Sequence, residues 1–302
     1  MTLKQLTLLR EIARQSLNMS KAAAALYTSQ PGISRQIQLL EEELGVPILA
    51  RRKNRTLGYT DVGKSILEAA QRLLNEADSI RAIAAEARRE RGRLAIVTTH
   101  LHARYTLLDP VSAFIKRYPD VELLIVEAEP DSIPRMLDAN EADIAVSTEM
   151  LSSQPTLTQL RGPTMKRSLI TPRDHPLTRR KQLKLEDISR YPLLGYSPRS
   201  RTGQIINGAF EAQGIKPRYV ISVGDSDVVK AYVAKGLGIA ILPAIAWSEA
   251  VDTGIQARDV TSLFPRSTMT ISFRRNAYLR KYAIDFIGMV PGMHKDDIKA
   301  LA

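Results

Sequence analysis

The stretch SKAAAALYTSQPGISRQIQLLEEEL, residues 20–44, decides the fold of the N-terminal part of the chain. Ser20 is a good N-cap residue, and the small side chains after it predict a short helix against which another helix can pack closely. The pattern breaks at Tyr27, after which Ser29 can cap a second helix that has Pro31 in its first turn. The segment therefore predicts two helices joined by a tight turn.

The second helix is expected to have a buried side and a polar side. Its apolar residues recur at spacings of four, three and four, which predicts a buried stripe of Ile33, Ile37, Leu40 and Leu44. The polar residues on or near the exposed side are Thr28, Gln30, Ser34, Arg35 and Gln38. Arg can pair with guanine and Gln with adenine in the major groove, while hydroxyls and a helix N-terminus hold phosphates. We therefore expect this helix to bind DNA.

Residues 1–60, and above all TSQPGISRQIQLLEEELGVPIL at residues 28–49, resemble the winged helix-turn-helix of LysR-type transcriptional regulators. Helical periodicity alone would also fit any two-helix hairpin, so the full run of residues carries the resemblance. A preceding helix is predicted from Leu3, Leu6, Leu9 and Ile12, and Gly45 is expected to end the second helix before Pro47. The DNA-binding residues predicted in the helix pair are Thr28, Ser29, Gln30, Pro31, Ser34, Arg35 and Gln38.

Basic residues crowd residues 50–60, ARRKNRTLGYT, between two apolar runs. This segment resembles the wing of the same family, with a turn expected at Gly58. We expect Arg51, Arg52 and Arg55 to lie on backbone phosphates, which add affinity and salt dependence but little sequence information. A charge run can also form a solvated loop, but its position beside the helix pair favours a DNA contact.

Composition and charge narrow the function classes. The chain has 302 residues, 44% of them hydrophobic, which is enough for two or three domains. Of the net charge of +11, residues 1–93 carry +6, so positive charge is densest where DNA is expected to bind. The absence of Cys excludes disulfides, thiolate metal sites and a cysteine nucleophile. No signal-peptide pattern or long apolar stretch is found, so we expect a nucleoid-associated protein of the bacterial cytoplasm without a membrane partner.

Residues 61–91 predict one long helix, since they lack Pro and are rich in Ala, Leu, Glu and Arg. Apolar residues alternate spacings of four and three and form a coiled-coil-like seam of Ile66, Ala70, Leu73, Ala77, Ile80, Ala84 and Ala87. The family resemblance implies a linker helix that dimerises two subunits, and packing against the chain's own body is the alternative. A homodimer, or a homotetramer built from dimers, would read an inverted repeat of promoter DNA.

From Leu94 onward, strands and helices alternate in two similar sets. The resemblance extends to the effector-binding part of LysR-type regulators, which is similar to periplasmic solute-binding proteins. The expected fold is therefore α+β and multidomain, with a winged helix-turn-helix at 1–60, a linker helix at 61–91 and a two-lobed α/β effector domain at 92–302. Lobe 1 is expected at about 92–162 and 268–302, and lobe 2 at about 163–267. The strand at 268–275 would return the chain to lobe 1.

Ligands of open α/β sheets bind beyond the carboxyl ends of the strands, near helix N-termini. The sequence puts Thr98, Thr99, His100 and His102 at one such end, and Ser200 and Thr202 at a helix start in the other lobe. Hydroxyl and N–H groups there suit a small anion or a carboxylate. TTHLHARY at residues 98–105, the TGQ turn and residues 224–243 resemble more narrowly the CysB-like regulators of cysteine biosynthesis and sulfur assimilation. That branch implies a sulfate-like anion or an acetylated serine as effector, in a site of Thr99, His102, Thr148 and Thr202.

Three positions depart from the pattern of that branch. Leu101 stands where the pattern has a second ligand-contacting Thr, His102 where it has an amide, and Met165 where it has a Trp. His102 either charges near neutrality and favours an anion, or is a partly buried imidazole with satisfied hydrogen bonds. His100 and His102 lack a recognisable carboxylate or Cys partner, so we expect no metal site.

Other functions find little support in the sequence. There is no G-x-S-x-G elbow and no P-loop, and Gly236 and Gly238 lack the third Gly of a dinucleotide fingerprint. We therefore expect no enzyme and no cofactor, and the expected partners are promoter DNA, RNA polymerase and a small effector. Two alternatives stay open: a LysR-type regulator of aromatic or amino-acid catabolism, and a solute-binding protein, which the C-terminal domain alone would fit.

Overall fold

The computed structural model of the protein describes residues 1–52, 55–88, 92–148, 154–196, 201–293 and 295–300. The chain divides into two compact units, Met1–Glu90 and Arg91–Ala302. None of the described helices is both long enough and apolar enough to cross a bilayer.

The N-terminal unit begins with three helices, α1 (Leu3–Arg14), α2 (Met19–Ala25) and α3 (Gln30–Leu44). Asn18, and not Ser20, is the N-cap of α2, because its side-chain oxygen accepts a hydrogen bond from the Lys21 N–H at 2.9 Å. The prediction for Ser20 is wrong because two left-handed residues, Ser16 and Leu17, end α1 abruptly and let α2 start earlier. At the far end of α3, Gly45 is the left-handed C-terminal residue, as predicted.

The three helices enclose one apolar core. Its innermost side chains are Leu9 and Ile12 of α1 and Ile33, Ile37 and Leu40 of α3, all without exposed surface. Two residues predicted for this core lie at the surface instead, since Leu3 is 47% exposed and Leu44 is 38% exposed. Both occupy the terminal turn of their helix, which the periodic pattern does not distinguish from the middle.

A two-stranded hairpin of β1 (Leu49–Arg52) and β2 (Arg55–Tyr59) follows the helices. Gly58 pairs with Ala50 inside the hairpin, so the prediction of a turn at Gly58 is wrong. Arg52 pairs with Arg55 at the other end of the hairpin.

The long helix α4 spans Asp61–Ala87. It starts tight against β1, since a Cβ at Gly63 would lie 2.1 Å from the Ile48 carbonyl oxygen and only glycine fits there. Ala70 and Leu74 belong to the core of the N-terminal unit, so the first half of α4 packs against its own chain. Leu73, Ile80 and Ile83 point outward, with exposed fractions of 48%, 67% and 48%. The predicted seam is therefore split between an intramolecular and an outward face.

The C-terminal unit is built from β-strands and short helices in the described residues. The strands are β3 (Arg93–Thr98), β4 (Glu122–Glu127), β5 (Ile144–Thr148), β6 (Leu157–Thr164), β7 (Arg167–Pro172), β8 (Leu193–Tyr196), β9 (Tyr219–Val223), β10 (Ile239–Pro243), β11 (Ile255–Asp259) and β12 (Thr268–Arg274). The helices are α5 (Leu108–Arg117), α6 (Ile133–Asp138), α7 (Leu185–Ser189), α8 (Arg201–Glu211), α9 (Ser226–Ala234), α10 (Lys281–Met289) and α11 (Lys295–Lys299).

These strands form two five-stranded sheets, which define two lobes. Lobe 1 has the strand order β4-β3-β5-β12-β6, and lobe 2 has the order β11-β7-β10-β8-β9. The expected return of the chain is present, since β12 pairs with β5 and β6. The edge strands β6 and β11 were not predicted, because polar residues at exposed positions interrupt their apolar pattern. β6 also ends at Thr164, two residues beyond the lobe boundary expected at 162.

In each lobe, successive strands are added first on one side of a central strand and then on its other side. In lobe 1 the chain leaves β3 for β4 on one side and later returns to β5 on the other side, with all three strands parallel. In lobe 2 the chain likewise leaves β8 for β9 and returns to β10 on the opposite side. Open sheets of this kind form a crevice at the carboxyl ends of the two strands that flank the reversal. The carboxyl ends of β3, β5 and β8 are therefore where this fold can meet a ligand.

Candidate functional sites

The N-terminal end of α3 is open to solvent. Ser29 is the N-cap, and its hydroxyl oxygen accepts a hydrogen bond from the Gly32 N–H at 3.2 Å. Pro31 lies in the first turn, as predicted, and residues 27–31 are all exposed. The positive end of the helix dipole and the N–H groups of the first turn are thus accessible to an anion such as a phosphate.

The polar residues of α3 lie opposite its buried side. Thr28, Gln30, Arg35 and Gln38 are exposed, and Ser34 is partly exposed. Gln30 donates a hydrogen bond to Ser34 and Arg35 donates one to Gln38, both at 3.4 Å. Arg35 also lies 3.8 Å from the Glu42 carboxylate. Long, exposed contacts of this kind contribute little energy, so these side chains can exchange them for base edges.

Glu41 fixes the hairpin relative to α3. One of its carboxylate oxygens accepts hydrogen bonds from the N–H groups of Ile48 and Leu49, at 2.8 and 2.9 Å. Hydrogen bonds to a charged acceptor are stronger than those between neutral groups, so the start of β1 is held firmly. Arg51, Arg52 and Arg55 follow on this hairpin, and their side chains lie outside the described part of the structure.

The turn between α2 and α3 contains a tyrosine where glycine is usual. The Thr28 N–H donates to the Ala23 carbonyl at 2.9 Å and the Tyr27 N–H donates to the Ala24 carbonyl at 3.2 Å, which closes the end of α2. This geometry needs a left-handed residue, and Tyr27 has φ of +50°. For a residue with a Cβ that conformation costs about 1–2 kcal/mol. The Tyr27 side chain is 99% exposed.

In lobe 1 the predicted ligand residues have different roles. Thr98 ends β3 and is fully buried, and its hydroxyl donates to the Val146 carbonyl at 2.7 Å. This hydroxyl ties β3 to β5, so Thr98 does not offer it to a ligand as expected. Thr99, the next residue, and Thr148, the last residue of β5, are partly exposed at the crevice of lobe 1.

His102 lies in a short π-helical turn, His102–Thr106, that leads into α5. It is fully buried, with Nδ1 2.9 Å from the Thr106 hydroxyl and Nε2 3.2 Å from the Thr148 hydroxyl. Burial lowers the pKa of His102 to about 4. The ring is therefore neutral at pH 7, and the expectation that it charges near neutrality is wrong, whereas the alternative of a satisfied imidazole is correct.

The same turn makes contact with lobe 2. The Tyr105 hydroxyl donates to one oxygen of Asp227 at 2.6 Å, and Arg104 Nε lies 3.4 Å from the other oxygen. Lys230, one turn further along α9, lies 3.0 Å from Asp227. Partial burial acts to raise the pKa of Asp227, but Tyr105, Lys230 and Arg104 outweigh it and the pKa is lowered. Asp227 is therefore a charged link between the lobes.

His100 makes a second contact between the lobes. We call this contact, together with those of Tyr105 and Arg104 to Asp227, the lobe bridge. Its Nδ1 is 3.1 Å from the Glu127 carboxylate at the end of β4, and its Nε2 is 3.1 Å from the Asp225 carboxylate in lobe 2. Asp225 is the N-cap of α9. His100, predicted as a ligand residue, thus contacts carboxylates of both lobes at the crevice.

The bridge also contains a set of ligating groups that the sequence did not reveal. One nitrogen of His100 and carboxylate oxygens of Asp225 and Asp227 lie within 4.8 Å of one another. Arg104 and Lys230 sit beside Asp227 and already balance its charge. Contacts between the lobes therefore account for this cluster better than a cation would.

In lobe 2 the predicted ligand residues follow β8. Thr202 lies in the first turn of α8 and is partly exposed. Ser200 lies outside the described residues. Met165, the third departure from the CysB-like pattern, is buried in the core of lobe 1.

Comparison with known families assigns both units. Residues 3–64 match the bacterial regulatory helix-turn-helix protein, lysR family, and residues 87–293 match the LysR substrate binding domain. The chain belongs to the LysR family of transcriptional regulators. The helix-turn-helix match also decides against the solute-binding alternative, and the expected order of a DNA-binding unit followed by a two-lobed α/β domain is confirmed.

Similar proteins align with this LysR-family chain over almost its whole length. HTH-type transcriptional regulator SsuR of Burkholderia cenocepacia is 37% identical over 303 residues, which covers 100% of this chain and 98% of SsuR. HTH-type transcriptional regulator CysB of the same organism is 36% identical over 291 residues, covering 96% and 93%. The crystal structure of the cofactor-binding domain of the Cbl transcriptional regulator superposes with a TM-score of 0.63 at 35% identity, covering 69% of this chain and 92% of that domain.

The acidic side of the lobe bridge could not be found from the sequence of this LysR-family chain. Asp227 lies 122 residues from Tyr105 and 123 residues from Arg104, so no local spacing connects them. Asp225 looks like an ordinary N-cap and Asp227 like an ordinary first-turn acid of α9, which is a common pattern at helix starts. Only the fold brings them to His100 and Tyr105.

We predict that His102 makes the stability of the protein acid-sensitive between pH 6.5 and 4. In this range the unfolded chain binds a proton at His102 while the folded protein does not, so stability is full above pH 6.5 and falls as the pH drops to about 4. The loss is about 3 kcal/mol at about 1.4 kcal/mol per pKa unit. Urea unfolding at pH 7 and pH 4.5 should show a smaller difference for His102→Gln than for the wild type.

The matched control is His175→Gln. Burial also lowers the pKa of His175, but that ring is only partly buried and should contribute much less. If His102→Gln leaves the pH dependence of stability unchanged, the buried neutral imidazole is not the cause.

Proposed function

We propose that this LysR-family protein regulates genes of sulfur assimilation, sulfonate or cysteine metabolism in response to a small anionic effector. The proposal rests on two features that occur in the same chain. One is the exposed recognition helix α3, and the other is a cleft with threonine hydroxyl groups near the point in each sheet where the strand order reverses. In this proposal the protein acts at promoter DNA in the bacterial cytoplasm, on the nucleoid, and its role is regulatory rather than catalytic.

In the proposed DNA complex, α3 reads bases and the hairpin binds phosphates. Side chains on the exposed side of α3 select the sequence, and these are Thr28, Gln30, Ser34, Arg35 and Gln38. Ser29 and Pro31 present the helix N-terminus to a phosphate. Arg51, Arg52 and Arg55 supply affinity that is independent of sequence. The charge supports this division, because residues 1–60 hold nine Lys and Arg against four Asp and Glu.

The outward stripe of α4 supports a dimer. Leu73 and Ile80 are seven residues apart and Ile83 follows three residues later, which is the spacing of a coiled-coil seam. These apolar side chains are about half-exposed or more in the single chain. A second helix that covers them would remove their apolar surface from water, which stabilises the pair. We propose that α4 joins two subunits and that dimers pair into a homotetramer, which bends the promoter and contacts RNA polymerase.

The proposed effector site joins the two lobes. Thr99 and Thr148 face it from lobe 1, and Thr202 with the start of α8 faces it from lobe 2. If the Thr106 hydroxyl donates to His102 Nδ1, then Nε2–H donates to Thr148, whose own hydrogen stays available for a ligand oxygen. A neutral His102 thus orients one hydrogen-bond donor toward an anion.

The sulfur assignment rests on the alignment with CysB and SsuR together with the TTHLHARY pattern described above. Leu101 replaces a polar ligand contact of the CysB-like pattern and packs against the core of lobe 1. The cleft accordingly has one donor fewer, which favours an effector larger or more apolar than sulfate. Such an effector would shift the lobe arrangement by as much as its affinity differs between the two arrangements.

The first prediction of this proposal separates base reading from phosphate binding. Arg35→Ala should cost about 1–3 kcal/mol on a 60-bp operator selected from a random library by the wild-type protein, and little on a shuffled duplex. Arg52→Ala should weaken binding to both duplexes and reduce the salt dependence by about one phosphate contact. Fluorescence anisotropy at several salt concentrations measures both effects. Equal losses of Arg35→Ala on the two duplexes would contradict the base-reading role.

The second prediction concerns the outward stripe of α4. Leu73→Glu with Ile80→Glu should produce monomers that no longer bind the selected operator specifically, because a charged seam cannot be buried. Glu68→Lys is the control, since Glu68 is exposed and lies about 140° around the helix from Leu73. Light scattering gives the mass. A double variant with the wild-type mass would rule out this seam.

The third prediction concerns the effector. Titration calorimetry with sulfate, thiosulfate, adenylylated sulfate, O-acetylserine and N-acetylserine should detect binding of at least one, weakened about tenfold or more by Thr202→Ala. Thr253→Ala, which removes an exposed hydroxyl elsewhere in lobe 2, should bind as the wild type. Binding of benzoate or of an unmodified amino acid in place of these compounds would favour a regulator of catabolism instead.

A further inference from the structure

Tyr27 is the residue of the DNA-binding unit whose conformation the fold leaves unexplained. Among the described residues, the non-glycine residues with positive φ are Ser16, Leu17, Tyr27, Asn140 and Asn276. Asn adopts this conformation readily, and Ser16 is small. Leu17 packs against the core of its unit, which offsets the strain. Tyr27 combines the same strain with a large side chain that is 99% exposed.

The position of Tyr27 is nevertheless fixed. The hydrogen bonds that close α2, Thr28 to Ala23 and Tyr27 to Ala24, hold the backbone on both sides of the ring. Ser29 begins α3 only two residues later. The backbone of Tyr27 is therefore fixed, and its phenol extends into solvent beside the N-terminus of the recognition helix. Glycine would satisfy the turn at lower cost, so the aromatic ring must be useful in a state other than the free protein.

We propose that Tyr27 contacts the DNA backbone: its hydroxyl donates a hydrogen bond to a phosphate oxygen next to the site read by α3, and its ring lies against the deoxyribose. This inference rests on the DNA-binding function and adds a residue that the sequence treated only as a break between helices. Tyrosine hydroxyls are among the groups that contact phosphates and set the register of a protein on DNA. The contact carries no base preference.

The surroundings of Tyr27 favour DNA over a protein partner. The residues that follow it, Thr28, Ser29 and Gln30, are exposed and polar, and the positive end of the α3 dipole lies there. A protein interface centred on an aromatic residue would be expected to have an apolar surround that excludes water. A phosphodiester backbone instead matches hydroxyl and N–H donors beside a positive helix end.

The test compares Tyr27→Phe and Tyr27→Gly with Ser16→Gly. Ser16 is the left-handed, exposed residue that ends α1 in the same way, so Ser16→Gly relieves the same kind of strain outside the α2–α3 turn. Thermal unfolding gives stability. Anisotropy on the selected 60-bp operator and on a shuffled duplex gives affinity, and a salt series gives the number of counterions released.

Both glycine variants should raise the melting temperature by a few degrees, and Ser16→Gly should bind DNA as the wild type. Tyr27→Gly should bind both duplexes at least tenfold more weakly, and Tyr27→Phe about three- to tenfold more weakly. The salt dependence should stay unchanged, since a neutral phenol releases no counterion. Gain of stability with loss of affinity in one variant is a result that a purely structural role cannot give.

Three outcomes would overturn the proposal. Tyr27→Gly could bind both duplexes like the wild type, Ser16→Gly could lose the same affinity as Tyr27→Gly, or Tyr27→Phe could lose affinity only on the selected operator. Wild-type DNA affinity combined with lost promoter activation in Tyr27→Gly would assign the residue to a protein partner. Failure of the wild type to bind any duplex would instead contradict the DNA-binding function itself.

Discussion

The carboxylates at the start of α9 make the charged contacts by which the two lobes meet at the crevice. Asp225 meets His100 and Asp227 meets Tyr105 and Arg104, so every one of these contacts joins a residue after β3 to the first turn of one helix in lobe 2. Thr99 and Thr148 border the same crevice, and His102 shares the turn with Tyr105. In the proposed effector site, a ligand in this crevice would lie beside groups that hold the lobes together, which would couple its binding to their arrangement.

The DNA-binding unit differs from the contacts between the lobes, because its parts are held in place by buried or charge-assisted contacts. Glu41 holds the start of the hairpin to α3 through two backbone N–H groups. Gly63 allows α4 to start against the Ile48 carbonyl, and the Thr60 hydroxyl accepts from the Gly63 N–H at 2.8 Å. Base reading requires side chains to be placed accurately, because a bidentate hydrogen bond to a base edge tolerates little displacement. The recognition helix, the hairpin and the start of α4 are therefore held in fixed positions relative to one another.

The sequence predicted what local patterns determine and missed what the fold alone brings together. The cap at Ser29, the left-handed Gly45 and the strand at 268–275 each follow from residue type and spacing, and the structure contains all three. The cap of α2 was placed wrongly because Asn18 and Ser20 are equivalent by type and only the sharp end of α1 decides between them. Burial of His102 and the bridge at Asp227 depend on partners far away in the chain, so composition and periodicity carry no trace of them.

The interaction energies at the lobe bridge are of the size expected for a contact that an effector can reversibly change. The His100–Asp225 pair has side chains that are 41% and 36% exposed, and the Arg104–Asp227 pair has 51% and 41%. Side-chain contacts at such exposure contribute about 0–1 kcal/mol each, and the hydrogen bond from Tyr105 to a charged carboxylate adds about 1.5–3 kcal/mol. Their sum is a few kcal/mol, which is of the same order as the 1–3 kcal/mol typical of coupling between two binding sites. A bridge much stronger than this would keep the lobes in one arrangement whatever the effector does, and a much weaker one would leave no defined arrangement for the effector to change.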